Sequence, residues 1–589
     1  MCGIFGITGE TALTMEKSKI DSMLSSLSMR GPDDHGVERH RNCILGHTRL
    51  SILDLAQGHQ PMRDGERDIT ITFNGEIYNY LELKTALQKR GHAFSTKSDT
   101  EVILKAYREY GEECPAYLEG MFAFAIWDEE KKTLFCARDR FGEKPFYYAA
   151  TRSGGYIFGS EIKSLIASGE IDPKISREAI DIYLSLMYIP PHMSVYENVS
   201  VLPPASLLIV KDGVLATRKY WELEKKTLDT PYAVAKMKTK ELLERSVKKM
   251  MAADVEVGTF LSGGVDSTLV THFAQATANS PVKTFSVGYE DYINELPFAK
   301  EASEKFGTDH YTLQAKGEMT DHLMEISRYL DEPHADPANL AQYLVSKFAR
   351  SKVKVTLTGD GADELFMGYG WYWKHHNLSW KAHFLDKALS HPFKNFIKGL
   401  EVFTPREKSF LWGAAVKSRS FVPDAISGEN LGQTEKVNLF DLTFYLPGKL
   451  LSKVDRIGMM NSLETRCPFL DREFAEFAYN LPEHFKIDRK SGKLILKDLL
   501  SDIMPKEFVY RRKQGFGAPI DKWLRSEKME SFVRKTLSGT IPKYTYLKKE
   551  EVMKVLRIFY DKKDDAFSYK VWALLCLALW FDFHPPRHE

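Results

Sequence analysis

From about residue 235 the chain repeats one unit: a short apolar run, a turn or glycine-rich loop, then a helical stretch. Val255–Leu261 is the first run. It leads into Ser262-Gly263-Gly264-Val265-Asp266-Ser267 and an apolar helix expected from Thr268. Val282–Val287 is the second, with a helix around Ala299–Phe306 behind it. Val353–Thr358 is the third, and it opens into Gly359-Asp360-Gly361-Ala362-Asp363-Glu364. Parallel strands need a crossover between them and a helix supplies one, so this alternation predicts an α/β doubly wound parallel sheet. Ligands of such sheets sit beyond the carboxyl ends of the strands, where both glycine-rich turns fall. The rest, about 370–589, reads as largely helical. Its longest apolar run, Val571–Phe581, is 11 residues. A bilayer crossing needs about 20, so the run predicts a buried helix.

The first 200 residues follow a different pattern. MCGIFGIT, CILGHTRLSIL, DITITFNGEIY, GMFAFAIWD, KTLFCARD and PFYYAA are short strand-forming segments separated by turn formers. Helices interrupt them. In Lys17–Met29, residues Ile20, Met23, Leu24 and Leu27 form one apolar stripe. Tyr80–Arg90 stops at Gly91, and Ser98-Asp99-Thr100-Glu101 has the form of a capping box. The mixture predicts an α+β layered domain over residues 2–215. A Pro-rich and charged connection, Leu202-Pro203-Pro204 and Trp221–Pro231, leads to a second domain over 235–589.

Composition narrows the functions open to such a chain. Lys+Arg 81 against Asp+Glu 80 leaves a net charge of +1, which gives no bulk attraction to nucleic acid or to an anionic membrane. At 43% hydrophobic and 27% charged residues the chain is globular rather than disordered. Six cysteines at positions 2, 43, 114, 136, 467 and 576 form no CxxC pair, which suits free thiols in a reducing cytoplasm. The N-terminus has no basic segment and long apolar run of a secretion signal.

Cys2 directly follows the initiator Met. Removal of Met before a small residue would leave a terminal cysteine whose own α-amine serves as base for its thiol. MCGIFG, RGPDDHG (Arg30–Gly36), HTRLSILD (His47–Asp54), FNGEIYN (Phe73–Asn79) and SDTE (Ser98–Glu101) follow in order. Together they resemble the class II glutamine amidotransferase domain, an N-terminal-nucleophile α+β sandwich. The resemblance implies that Cys2 attacks the glutamine amide and releases ammonia. It implies that Asn74 and the N–H of Gly75 form the oxyanion hole, that Arg49 holds the glutamine α-carboxylate, and that Glu76 and Asp99 receive the α-ammonium.

SGGVDS is not a Walker loop, since no GxxxxGK[ST] is present. Its small residues and hydroxyls after an apolar strand suit an anion nest at a helix N-terminus. It resembles the PP-loop of ATP pyrophosphatases. That resemblance makes Ser262, Gly263, Gly264, Asp266 and Ser267 phosphate-loop residues. It makes Leu261, Val287, Thr358 and Gly359 contacts of the adenine nucleotide, and Asp266 and Asp363 ligands of Mg²⁺. Asp360 falls where that family has an acidic residue important for adenylate formation, and Lys493 where a lysine stabilises the reacting phosphate.

Lys453–Asp471 (KVDRIGMMNSLETRCPFLD) extends the match, and the whole chain resembles the glutamine-hydrolysing asparagine synthetases. The implied activity is a pair of reactions. Glutamine is hydrolysed to glutamate and ammonia. L-Aspartate is adenylated by ATP-Mg to β-aspartyl-AMP and pyrophosphate, then aminated to asparagine and AMP, the ammonia travelling inside the protein. A homodimer is compatible with this reading; nucleic-acid binding and membrane insertion are not expected. Two departures bear on the acceptor: Met367 stands in LFMGYG where the family usually has glycine, and segment 370–438 carries no interpretable motif. They leave open a relative that amidates another carboxylate, from the cell envelope, a sugar acid or a natural product. An adenylating cyclase or a non-catalytic scaffold would be expected to lose Cys2 or the acidic residues, and all are present.

Overall fold

The computed structural model describes residues 1–65, 68–226, 228–289, 295–315, 319–376, 392–413, 421, 426, 431–511 and 519–586. The amino-terminal part holds two antiparallel sheets of six strands each. The first runs in the order Ser200–Val201, Tyr147–Ala150, Tyr156–Gly159, Gly3–Thr8, Cys43–Arg49, Asp34–Arg39. The second runs Val214–Lys219, Ser206–Lys211, Thr133–Arg138, Gly120–Asp128, Ile69–Ile77, Met62–Asp64.

Alternation along the strands sorts the side chains into layers. Ile4 and Leu45 of the first sheet meet Ala123, Ala125 and Trp127 of the second in a shared interior. Phe5, Ile7 and Ile44 point the other way, onto Ile20 and Met23 of the helix Lys17–Ser26 and onto Leu27 just past its end. Phe73, Phe122 and Phe124 turn outward from the second sheet, onto Leu83 and Leu87 of Tyr80–Lys89 and Val102 and Ile103 of Asp99–Tyr110. The result is a helix–sheet–sheet–helix sandwich. The strand Val214–Lys219 pairs in full register with Ser206–Lys211, so the second sheet continues past residue 215.

The second part is built on a five-stranded, all-parallel sheet. Its order is Asp309–Ala315, Lys283–Tyr289, Val257–Phe260, Val355–Leu357, Glu464–Arg466. The chain enters at Val257–Phe260, builds to one side, then returns to build on the other. The order therefore reverses between Val257–Phe260 and Val355–Leu357, which is where such sheets form a crevice. Helix Val265–Thr277 packs on one face through Leu269, Val270 and Phe273. Helix Ala338–Arg350 covers the other through Val345 and Ala349 against Phe285.

Several local expectations shift. The helix after SGGVDS starts at Val265 rather than Thr268, which puts Asp266 in its first turn. Ser98 caps its helix, but Glu101 does not close the box. Its carboxylate accepts from the N–H groups of Ser95 and Thr96 and pins the preceding loop. The strand Glu464–Arg466 was not foreseen, because Glu-Thr-Arg has no apolar signal and only three residues. The apolar run near the C-terminus lies in a longer helix, Ser568–Phe583. Among the described residues, this helix together with the turn before it, Asp565–Phe583, is alone long and apolar enough to cross a membrane. It is a core helix: every residue of Val571–Phe581 is buried, and the indoles of Trp572 and Trp580 donate to Ala335 O and Leu330 O. In the uninterpreted segment, 377–391, 414–420, 422–425 and 427–430 lie outside the described residues.

The two parts meet through buried charge. Arg30, fully buried, pairs with Glu161 of its own part at 3.1 Å and with Asp455 of helix Ser452–Met460 at 2.8 Å. The Met1 ammonium lies 2.8 Å from Glu464 Oε2, and Arg466 lies 3.5 Å from Glu76.

Candidate active sites at the nucleophile strand and the parallel-sheet crevice

Cys2 stands just ahead of the central strand Gly3–Thr8, and three contacts hold it, two on its backbone and one on its sulfur. Its N–H donates to Asn74 Oδ1 at 2.9 Å, its carbonyl accepts from Arg30 Nε at 2.9 Å, and Leu50 bonds to its sulfur through the backbone. Burial pushes the thiol up, against the opposing pull of the Met1 ammonium and Arg49. Asn74 and Gly75 lie on the strand Ile69–Ile77, paired with Gly120–Asp128. The Asn74 amide nitrogen is a buried donor with no partner, the state expected of a group that awaits a ligand oxygen. Gly75 has φ +152°, and a Cβ there would stand 2.0 Å from Met121 O, so no side chain fits.

The remaining predicted glutamine-site residues gather around this pair. Arg49 ends the strand Cys43–Arg49 and is buried; its Nη2 donates to Leu53 O and Asp54 O. Asp99 opens its helix and accepts from the Ile77 N–H at 3.0 Å. Burial pushes its carboxyl up to about 6, against that hydrogen bond and one from Thr100. Glu76 is buried and pushed well above the usual carboxylate range, although Arg466 draws it down.

The second site is a cavity of about 1040 Å³ at the crevice of the parallel sheet. Leu261, Ser262, Gly264, Asp266, Ser267, Val287, Thr358, Gly359, Asp360, Asp363 and Lys493 all line it. Gly263 does not. It turns at φ +74° against Phe298, and its carbonyl accepts from Arg511 Nη2 at 2.5 Å. The loop is held by its own hydroxyls: Ser262 Oγ lies 3.0 Å from Ser267 Oγ and accepts from the Gly264 N–H. The Thr358 hydroxyl donates to Asp360 Oδ2 at 2.6 Å. At Gly359 a Cβ would meet Asp266 Cβ at 2.8 Å, so the two loops close on each other only because residue 359 is glycine.

Lys493 ties the site together. Its Nζ lies 2.5 Å from Asp266 Oδ2 and 2.7 Å from Asp363 Oδ1, and these carboxylates hold its ammonium above the usual lysine range despite burial. Lys493 sits in the left-handed region at φ +58°, its N–H bonded to Phe366 O. Met367 is also left-handed, at φ +54°. Such backbone costs a non-glycine residue about 1–2 kcal/mol, which gives a reason for glycine at this position. Met367 offsets that cost by burying its side chain in a cluster with Tyr372 and Phe393. Gly368 has no such freedom, since a Cβ there would meet Asp363 Oδ1 at 2.0 Å.

Sequence reasoning missed several residues. Arg511, stacked 4.0 Å over Phe298, brings a cation to the Ser262–Ser267 loop. Glu364 lines the cavity, accepts from the Tyr369 hydroxyl at 2.5 Å, and is pushed by burial up to about 8. Glu364 was legible as a carboxylate of the DGADE turn; Arg511 had no motif around it.

The chain matches the sequence model of the glutamine amidotransferase domain over residues 1–221 and that of asparagine synthase over 238–582. It is 32% identical to Asparagine synthetase [glutamine-hydrolyzing] 1 of Bacillus subtilis, over 98% of this chain and 96% of that protein. It is 34% identical to a putative asparagine synthetase [glutamine-hydrolyzing] of Mycobacterium bovis, over 94% and 91%. A putative asparagine synthetase of Methanocaldococcus jannaschii is 40% identical over 63% of this chain and 76% of its own length. An amidotransferase domain joined to an asparagine synthase domain defines an ATP-dependent, glutamine-hydrolysing ligase. The chain belongs to the family of glutamine-hydrolysing asparagine synthetases.

Proposed function

We propose that this enzyme makes asparagine from L-aspartate, ATP and the amide nitrogen of glutamine, in the cytoplasm. The main support is one observation: a cysteine beside an unpartnered buried amide donor and, in the same chain, a lysine clamped by two carboxylates at a phosphate-type loop.

In the first reaction Met1 is removed and the Cys2 α-amine takes the thiol proton. The thiolate attacks the glutamine amide carbon. Asn74 Nδ2 and the Gly75 N–H donate to the oxygen as it gains charge, the role of a preorganised oxyanion hole. Arg49 pairs with the α-carboxylate, and Glu76 and Asp99 accept the α-ammonium. Collapse expels ammonia and leaves a thioester, which water cleaves to glutamate.

In the second reaction the hydroxyls and N–H groups of Ser262–Ser267, at the start of helix Val265–Thr277, hold the ATP phosphates as a PP-loop. Leu261, Val287, Thr358 and Gly359 contact the adenine nucleotide. Asp266 and Asp363 already converge on one cation, Lys493, and hard carboxylate oxygens of this kind fit Mg²⁺. A Mg²⁺ ion held by these two carboxylates would neutralise charge on the ATP phosphates. Lys493 then faces the reacting phosphate, and Asp360, held by the Thr358 hydroxyl in the same cavity, serves adenylate formation. Ammonia attacks the acyl-adenylate and AMP leaves.

Purified protein with glutamine, ATP, Mg²⁺ and aspartate should yield asparagine, AMP and pyrophosphate. Absence of these products with aspartate, alongside turnover of a larger carboxylate, would replace the acceptor but keep the reaction.

A further inference from the structure

Glu464 and Arg466 are two positions apart on the last strand of the parallel sheet, so their side chains leave on one face. That face meets the amidotransferase part. The pairing of Leu357 with Arg466, and the bond from the Thr358 N–H to Arg466 O at 2.9 Å, fix the register of the strand.

The guanidinium of Arg466 is fully buried, and its neighbours set its direction. Nε donates to Glu464 Oε1 at 2.7 Å, and Nη1 donates to Met250 O at 2.7 Å and Ala252 O at 2.8 Å. A planar fork held at these points leaves no freedom for its third nitrogen. Nη2 makes no hydrogen bond and stands 3.5 Å from Glu76 Oε1, across the boundary between the two parts. A buried N–H without a hydrogen bond costs stability, and nothing in the adenylation site accounts for this one.

Glu76 needs that charge. Its carboxylate is buried, and burial favours the neutral acid, which cannot pair with an ammonium. Arg466 and the chain's terminal ammonium favour the charged form, while Glu464 and Asp99 oppose it. The phenols of Tyr78 and Tyr80, just past Glu76 in sequence, stay neutral because burial raises both. Arg466 and Glu464 act on Asp99 with the same two signs.

We propose that Arg466, a residue of the synthetase part, is a positioning residue of the glutamine site, its guanidinium orienting the Glu76 carboxylate to receive the substrate α-ammonium. This rests on the functional reading above, which gives that ammonium to Glu76 and Asp99. The glutamine site of one part is completed by a residue of the other, and no bond is made or broken by it.

The test is the glutamine KM of the glutaminase reaction against pH in wild-type protein, Arg466→Met and Glu464→Gln. Ammonium-dependent synthesis shows which variants are folded. The two residues have opposite signs. Without Arg466 the carboxylates are harder to ionise, so the pH below which KM climbs moves up by about one unit or more. At neutral pH the KM of Arg466→Met rises about tenfold, while kcat changes less than about threefold. Glu464→Gln keeps an acceptor for Arg466 Nε and removes a negative charge, so the same midpoint moves down. A merely structural role would lower both activities and could not move the two midpoints in opposite directions. Glu464→Gln is nearly isosteric and decides the matter if Arg466→Met does not fold. An unchanged KM in folded Arg466→Met, or a Glu464→Gln midpoint at or above that of wild type, overturns the proposal. Failure of wild type to release ammonia from glutamine, or a wild-type KM with no rise at low pH, would instead overturn the functional reading on which it rests.

Discussion

Replacing Lys493 with methionine keeps the length of the side chain and removes the ammonium. In the structure that ammonium lies 2.5 Å from one carboxylate and 2.7 Å from another, with all three groups largely shielded from water. Without it, Asp266 and Asp363 face each other unneutralised, and removing one partner of a buried ion pair costs about 3–5 kcal/mol. In the reaction the loss falls on the phosphate. Deleting one preorganised group that meets developing charge slows a reaction by about 10²–10³-fold. Lys493→Met should therefore cut pyrophosphate release with ammonium as nitrogen source about 100-fold or more, while glutamate formation from glutamine changes less than about twofold. Both rates are measured on one preparation. Mg²⁺ without nucleotide should raise the melting temperature of the variant more than that of wild type, because the two carboxylates then lack their own cation. A loss of synthesis below about fivefold, or a parallel loss of glutaminase activity, would refute the role given to Lys493.

Cys2→Ala should abolish glutamine-dependent synthesis and spare synthesis from added ammonium; glutamine-dependent product from this variant would remove the nucleophile assignment. Asp99 is raised to about 6, so it gains a proton as pH falls through that value and can no longer accept the glutamine ammonium. The glutamine KM should accordingly rise below pH about 6, and Asp99→Asn should have a high KM that no longer follows this titration. A KM flat from pH 7.5 to about 5 in wild type contradicts the contact. Asp455→Ala leaves Arg30 buried with Glu161 alone and should destabilise the junction by about 3–5 kcal/mol, read as earlier unfolding in urea. Unfolding at the wild-type urea concentration would show that the cross-domain pair does not hold the two parts together.

Both glycine-rich turns were legible because their backbone depends on local sequence. Small residues after an apolar strand set the backbone of Ser262–Ser267, and Gly359 is needed for the close approach to Asp266. The same holds for Asn74 and Gly75, which lie on the apolar strand Ile69–Ile77, and for Cys2, just ahead of Gly3–Thr8. What stayed hidden is what long-range packing creates. Glu464 and Arg466 form the last strand of the parallel sheet although no residue in Glu-Thr-Arg is apolar. Parallel pairing with Val355–Leu357 and burial on both sides make it a strand. Arg30 and Asp455 are 425 positions apart and fall in two separate motifs that give no sign of a pairing, yet both are buried where they meet. Met367 shows the converse: the departure was visible in sequence, but its left-handed backbone and its packing on Tyr372 emerge only in three dimensions.

The central claim is that two sites in one chain move nitrogen from the glutamine amide to a new amide at the expense of ATP. Glutamine labelled with ¹⁵N at the amide tests it directly, in the presence of aspartate, ATP, Mg²⁺ and an excess of unlabelled ammonium. The account predicts ¹⁵N in the side-chain amide of asparagine, with one AMP and one pyrophosphate formed per asparagine. Label left wholly in free ammonium, or ADP and phosphate in place of AMP, would contradict it.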